Sequence, residues 1–180
     1  MYYWILNEKD HALLVQLQRT GMTTSHMAGV YQSLREDELK RLEENLYIKR
    51  RKRIVKGINQ ELIQLGPRGK DYIKKRFNQT SFAIARTSHA EHDLKLTQMY
   101  NELPKSVQDT WVHEQQVLQE IYKKSPESRG QLTSCIDAYV VIGDEKIAIE
   151  SIGYTYTKAI MEEKEAIAKH LVGCTSFESF

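Results

Sequence analysis

Asp137 and Glu150 are the residues best suited to chemistry in this chain. They flank two apolar runs, Ile136 to Ile142 and Lys146 to Glu150, that fold back at Gly143-Asp144. The pattern predicts a β-hairpin with one acid opening its first strand and another near the end of its second. Paired strands lie about 5 Å apart, so the two carboxylates converge at one end of the hairpin. Converging carboxylate oxygens can hold a divalent cation for phosphodiester hydrolysis. Glu114, from an earlier element, is a candidate third acid. A different chemistry lies in Lys49-Arg-Arg-Lys-Arg53. Five successive cations repel one another and add nothing to a core, but on DNA each phosphate contact releases counterions.

The elements that must carry the basic run are legible around it. Asn7, Glu8 and Asp10 predict a capped helix start, and Leu13, Leu14 and Leu17 recur at helical spacing until Gly21. Thr23 or Thr24 caps a short second helix to about Tyr31, and Gln32-Ser33-Leu34 turns the chain. A third helix then runs from about 35 to 45, with Leu39 and Leu42 inward. In a helix-turn-helix this last helix enters the major groove, which makes Arg35, Lys40 and Arg41 candidate base contacts. Thr24 and Ser25 are further DNA-contacting candidates. Tyr47 to Val55 and Ile58 to Leu65 read as two strands about Lys56-Gly57, a wing that displays Lys49, Arg50, Arg51, Lys52 and Arg53. A helix over 70–77 closes this unit, and residues 78–86 read as a linker.

Beyond the linker, a helix runs from Thr87 or Ser88 to about Leu103 and stops at Pro104. Residues 109–122 suit a helix, or a short strand at 111–115 leading into one. The acid-bearing hairpin and a helix over 157–171 complete the chain. The expected fold class is α+β in two domains. Residues 1–78 form a winged helix-turn-helix, and residues 87–180 form a small α/β domain for dimerisation or nuclease-like chemistry.

Charge separates the same two parts. Residues 1–80 carry 16 basic against 9 acidic residues, and residues 81–180 carry 10 against 15. Only the first part is built to meet a polyanion. No apolar run approaches the roughly 20 residues that span a bilayer, so no membrane partner is expected. Met1-Tyr-Tyr-Trp-Ile-Leu6 is too short for a signal-peptide core and lacks a basic start. The two cysteines, Cys135 and Cys174, cannot make a zinc knuckle or a disulfide framework, and they read as reduced thiols of a cytoplasmic protein.

Residues 7–77 also resemble the winged-helix domains of bacterial regulators, on Met22-Thr-Thr-Ser25, Leu39-Lys-Arg-Leu42, Tyr47-Ile-Lys-Arg50 and Leu65-Gly-Pro-Arg-Gly69. The hairpin resembles the core of the PD-(D/E)XK nucleases, with Asp137 and Glu150 at the two acidic positions. Ile136 stands at that motif's proline and Ile152 at its lysine, with Lys158 the nearest candidate replacement on the next helix. Without the lysine, the transition state loses a positive charge. Taken whole, the chain is similar to the replication-relaxation family of plasmid and mobile-element proteins. The likeness rests on His92-Asp-Leu-Lys-Leu96, Trp111 with Glu114, Ile136-Asp137 and Ile147-Ala-Ile-Glu150. It implies a DNA-binding role in replication, transfer or transcriptional regulation of a plasmid, phage or integrative element. The expected protein is a double-stranded DNA-binding homodimer, with a replication or transfer protein as a further candidate partner. On this reading the protein is not an enzyme and needs no cofactor. The alternative is a Mg²⁺-dependent nuclease that uses Glu114, Asp137 and Glu150.

Overall fold

The structure, a computed structural model, describes residues 6–132, 135–153 and 156–180. The Met1–Ile5 part of the leader reading therefore lies outside the described residues. The protein is α+β. Among the described residues are eight α-helices, a three-stranded antiparallel sheet and a four-stranded mixed sheet. None of these helices is long and apolar enough to cross a membrane. The chain divides into two compact units, Met1–Gln98 and Met99–Phe180.

In the first unit, α1 (Glu8–Thr20) starts at a reciprocal cap: the Asp10 N–H donates to the Asn7 side chain, and the Asn7 N–H donates to Asp10. Such a cap contributes about 1 kcal/mol. A two-residue strand β1 (Thr23–Thr24) leads into α2 (Ser25–Gln32), and α3 (Glu36–Glu44) follows. Then β2 (Ile48–Val55) and β3 (Ile58–Leu65) pair along their whole length, and β1 joins the outer side of β3. Lys56 and Gly57 both adopt positive φ, 50° and 74°, as a two-residue hairpin turn requires. The core gathers Leu13, Leu14 and Leu17 from α1, Leu39 and Leu42 from α3, Ile48 and Ile63 from the hairpin, and Ile73 from α4 (Pro67–Phe77). Each such side chain contributes roughly 1.5–3 kcal/mol by leaving water.

Two features of this unit differ from the sequence reading. The helix after the β2–β3 hairpin begins at Pro67 instead of Lys70, because proline is well placed in a first helical turn. Residues 78–86, read as a linker, are instead held against the unit. The Gln18 amide donates to the Ser81 carbonyl at 2.8 Å, the Ala83 N–H donates to the Gln18 carbonyl at 2.9 Å, and Gln64 donates to the Ala85 carbonyl at 3.1 Å. Ala90 and Leu94, early in α5 (Ala90–Glu102), then pack with Met22, Val55 and Leu62. The division between units consequently falls inside α5.

The Leu65-Gly-Pro-Arg-Gly69 segment has a steric explanation. A methyl group on Gly69 would overlap the Tyr47 carbonyl oxygen, and one on Gly66 would overlap that of Leu46. Backbone cannot yield as a flexible side chain can. Gly69→Ala is therefore expected to destabilise the unit by about 3 kcal/mol or more in urea unfolding. A loss under about 1 kcal/mol would show that the close approach is not required.

The second unit opens with the end of α5 and a short helix α6 (Lys105–Gln108). Strand β4 (Val112–His113) passes directly into α7 (Glu114–Lys124), which resolves the ambiguous stretch in favour of a strand leading into a helix. The hairpin β5 (Ala138–Ile142) and β6 (Glu145–Glu150) follows, then α8 (Lys158–Ile167) and a wider helical turn over Ala168–Val172. A final strand, β7 (Ser176–Ser179), pairs parallel to β6, giving the order β4-β5-β6-β7. Nothing in the sequence pattern pointed to β7, whose four residues show little apolar alternation. Val117 and Ile121 of α7 pack with Ile167, Ala168 and Val172 over Tyr139 and Ala148 of the sheet.

Candidate functional site

The first unit sorts its cations into two classes. Arg41 turns inward, and its guanidinium reaches both oxygens of the fully buried Asp10 at 2.7 Å. Arg50 is equally committed. It contacts both Glu36 oxygens at 2.7 and 2.8 Å, bonds Glu61, and has Glu43 at 3.8 Å, with only 8% of its side chain exposed. Burial opposes the Arg50 charge, but the bonds to Glu36 and Glu61 outweigh it and raise its pKa. Glu61 lies below the ordinary carboxylate range: burial works against its charge, while the Ser25 hydroxyl and Arg50 favour it. Arg50 lies across from Ile63 on the core-facing side, so its head group turns back onto the acids of α3 and β3.

Lys49, Arg51, Lys52 and Arg53 stay exposed along β2. Among the described residues the side chains of Lys49 and Arg51 have no hydrogen bond or ion pair. The Arg53 guanidinium donates only to the Lys52 carbonyl, at 3.3 Å, and Lys52 stands across from Glu61. At the tip, Ile54 and Ile58 are 77% and 62% exposed.

Helix α3 carries more acids than bases. Glu36, Asp37, Glu38, Glu43 and Glu44 outnumber Lys40 and Arg41 on it. Arg35 stands at the N-cap position, its N–H donating to Glu38 at 2.8 Å and its guanidinium forking onto Asp37 at 2.9 and 3.1 Å, and Lys40 lies 3.8 Å from Glu44. Thr24 caps α2 by accepting from the Met27 N–H at 3.1 Å, and the Ser25 hydroxyl donates to Glu61. Both residues therefore have structural partners.

In the second unit, Asp137 immediately precedes β5 and Glu150 ends β6, with carboxylate oxygens within 4.8 Å of each other. Both carboxylates accept from backbone at the strand ends: the Asp137 N–H donates to Glu150 at 3.1 Å, and the Ser151 N–H donates to Asp137 at 2.8 Å. The other Glu150 oxygen accepts from both the Tyr156 hydroxyl and the Lys164 ammonium. Lys164 also donates to the Cys135 carbonyl at 2.8 Å. Glu150 is fully buried and Lys164 is 5% exposed. Burial and the Asp137 charge push Glu150 above the ordinary carboxylate range. Burial works against the Lys164 charge, but Glu150 and Asp137 outweigh it, and its pKa rises.

The cation beside Glu150 is thus Lys164, where the sequence suggested Lys158. Lys158 opens α8 almost fully exposed, 3.4 Å from Glu162. A signal for Lys164 was present, because it shares a helical stripe with Ile160, Ile167 and Ala168 and so is a lysine at a core position. Glu114 starts α7, and its N–H donates to the Asp137 carbonyl at 2.8 Å.

A divalent cation does not fit this cluster as it stands. Both Glu150 oxygens already accept hydrogen bonds, and the Lys164 ammonium supplies the neutralising charge. Mg²⁺ would have to compete with these donors for the Glu150 oxygens and sit close to the Lys164 ammonium.

The two thiols are buried. Burial, with the Glu114 charge adding, pushes Cys135 up to about 12, and burial also raises Cys174. At pH 8 a thiol of that acidity is only about one part in ten thousand thiolate. Alkylation of Cys135 in the native protein is expected to be negligible and to become rapid on denaturation. Rapid native alkylation would show that the site opens. Comparison with known protein families, curated proteins and solved structures gives no match for this chain.

Proposed function

We propose that the protein binds double-stranded DNA through its first unit, as a winged helix-turn-helix whose wing supplies most of the attraction. One observation carries this reading. Lys49, Arg51, Lys52 and Arg53 stand exposed on one hairpin strand, while neighbouring Arg50 is neutralised by three acids. A fold able to pair one cation so thoroughly leaves the other four for an external polyanion. Helix α3 repels phosphates on balance, so its part is limited to side chains that reach base edges, with Arg35 and Lys40 the exposed candidates. Arg41 and Arg50 drop out of the contacting set, since using them on DNA would strand Asp10 and Glu61 without their partners.

The second unit, on this proposal, has a nuclease-like hairpin without nuclease activity and serves to pair protomers or engage a replication or transfer protein. The lysine–glutamate pair that fills its acidic cluster supports a structural role. The test is a duplex selection at moderate salt with the full chain. Recovery of a palindromic site would support both DNA reading and dimer symmetry. Failure to retain any duplex at about 50 mM salt would sink the reading. Metal-dependent nicking lost in Asp137→Ala would replace it with the nuclease alternative.

A further inference from the structure

The first unit holds a second basic feature, away from the wing tip. A concavity of about 290 Å³ lies between β2, the first turn of α4 and the 82–85 segment. Lys49, Arg51 and Lys70 line it, and no acid does. Lys49 and Arg51 fall on the same side of β2 because strand residues two apart share a face. Their cross-strand neighbours, Gln64 and Leu62, are uncharged. Lys70 comes from a different element, with its ammonium 5.8 Å from the centre of the Phe82 ring. Among the described residues none of the three has an ion pair. Hydrogen bonds brace the wall, since Gln64 holds the Ala85 carbonyl and Gln18 holds residues 81 and 83.

Three cations around one hollow repel one another unless an anion sits among them. The anion must offer acceptors in several directions, because its donors come from a strand on one side and a helix on another. A carboxylate presents a single planar edge, whereas a phosphate group has oxygens disposed tetrahedrally. Arg51 can meet two of these with its fork, and the lysines can meet the rest as point charges.

We propose that this concavity is a phosphate-binding subsite formed by Lys49, Arg51 and Lys70. Its source of phosphate is the nucleic-acid backbone, a choice that rests on the DNA-binding reading. The subsite then extends the contacted backbone from the wing to α4 and adds Lys70, which sequence spacing did not suggest.

Two measurements on the full chain separate this proposal from the reading beneath it. In the first, inorganic phosphate is titrated against chloride at constant ionic strength and followed by backbone amide shifts. The shifts should centre on residues 49–51, 70 and 82–85, and binding should weaken about tenfold in Lys70→Gln, with Arg51→Gln as the second variant. In the second, the salt dependence of duplex binding should flatten by about one unit in Lys70→Gln and stay unchanged in Lys74→Gln on the same helix. Duplex binding by wild type with Lys70→Gln unaltered in both measurements overturns the subsite and leaves the DNA reading standing. Phosphate shifts at this concavity without duplex binding support the subsite, overturn the DNA reading and assign the site to a free phosphate compound.

Discussion

Alanine at Lys49, Arg51, Lys52 and Arg53 together is expected to cut duplex affinity at least about a hundredfold near 0.1 M salt, and to flatten the salt slope by about 3–4 units. All four side chains are exposed, so the variant should fold with an unchanged urea midpoint. The loss should be similar for every duplex sequence, because phosphate contacts position a protein without reading bases. Arg50→Ala is the instructive contrast. It should barely alter the salt slope but should destabilise the first unit by about 2–4 kcal/mol, since Glu36, Glu43 and Glu61 would face one another without their shared cation. An unchanged slope in the fourfold variant would mean that the wing does not touch DNA. A large slope change in Arg50→Ala at full stability would mean that its acids release it on binding.

Breaking the buried pair in the second unit should have the largest effect on stability. Glu150→Ala strands the Lys164 ammonium at 5% exposure and removes the acceptor for the Asp137 N–H and the Tyr156 hydroxyl. The expected loss is about 3–5 kcal/mol, read from the unfolding transition of the second unit. Lys164→Met should cost less, because Glu150 keeps two hydrogen-bond donors and can take up a proton at modest cost, its pKa already being raised by burial. Combining Glu150→Leu with Lys164→Met should recover most of the loss, as apolar replacements of buried ion pairs often do. A loss below about 1 kcal/mol in Glu150→Ala would show that the pair is dispensable and reopen the cluster to a cation. Duplex binding should be little changed wherever these variants remain folded.

The sequence by itself determined the elements and the division of charge. Leucine spacing and the Asn7 cap define α1, the alternation about Lys56-Gly57 defines the β2–β3 hairpin, and the apolar runs about Gly143-Asp144 define the second hairpin. These are local signals, written within a turn of helix or a pair of residues. The convergence of Asp137 and Glu150 was legible for the same reason, since hairpin register follows from its turn. Only the tertiary structure decided what each charge faces. Arg41 and Lys40 are neighbours in sequence, yet one reaches a buried aspartate thirty-one residues away and the other lies on the surface. Arg50 and Arg51 differ by a single strand alternation, which turns one onto acids and leaves the other in water. Lys164 displaced Lys158 beside Glu150 because its helix position faces the sheet, a matter of packing between elements distant along the chain. Likewise β7 exists because β6 offers it an edge to pair with, and its own four residues carry no such instruction. Pairing and burial are long-range properties, so the identity of a residue states what charge it has, and only the fold states whether that charge is free to act.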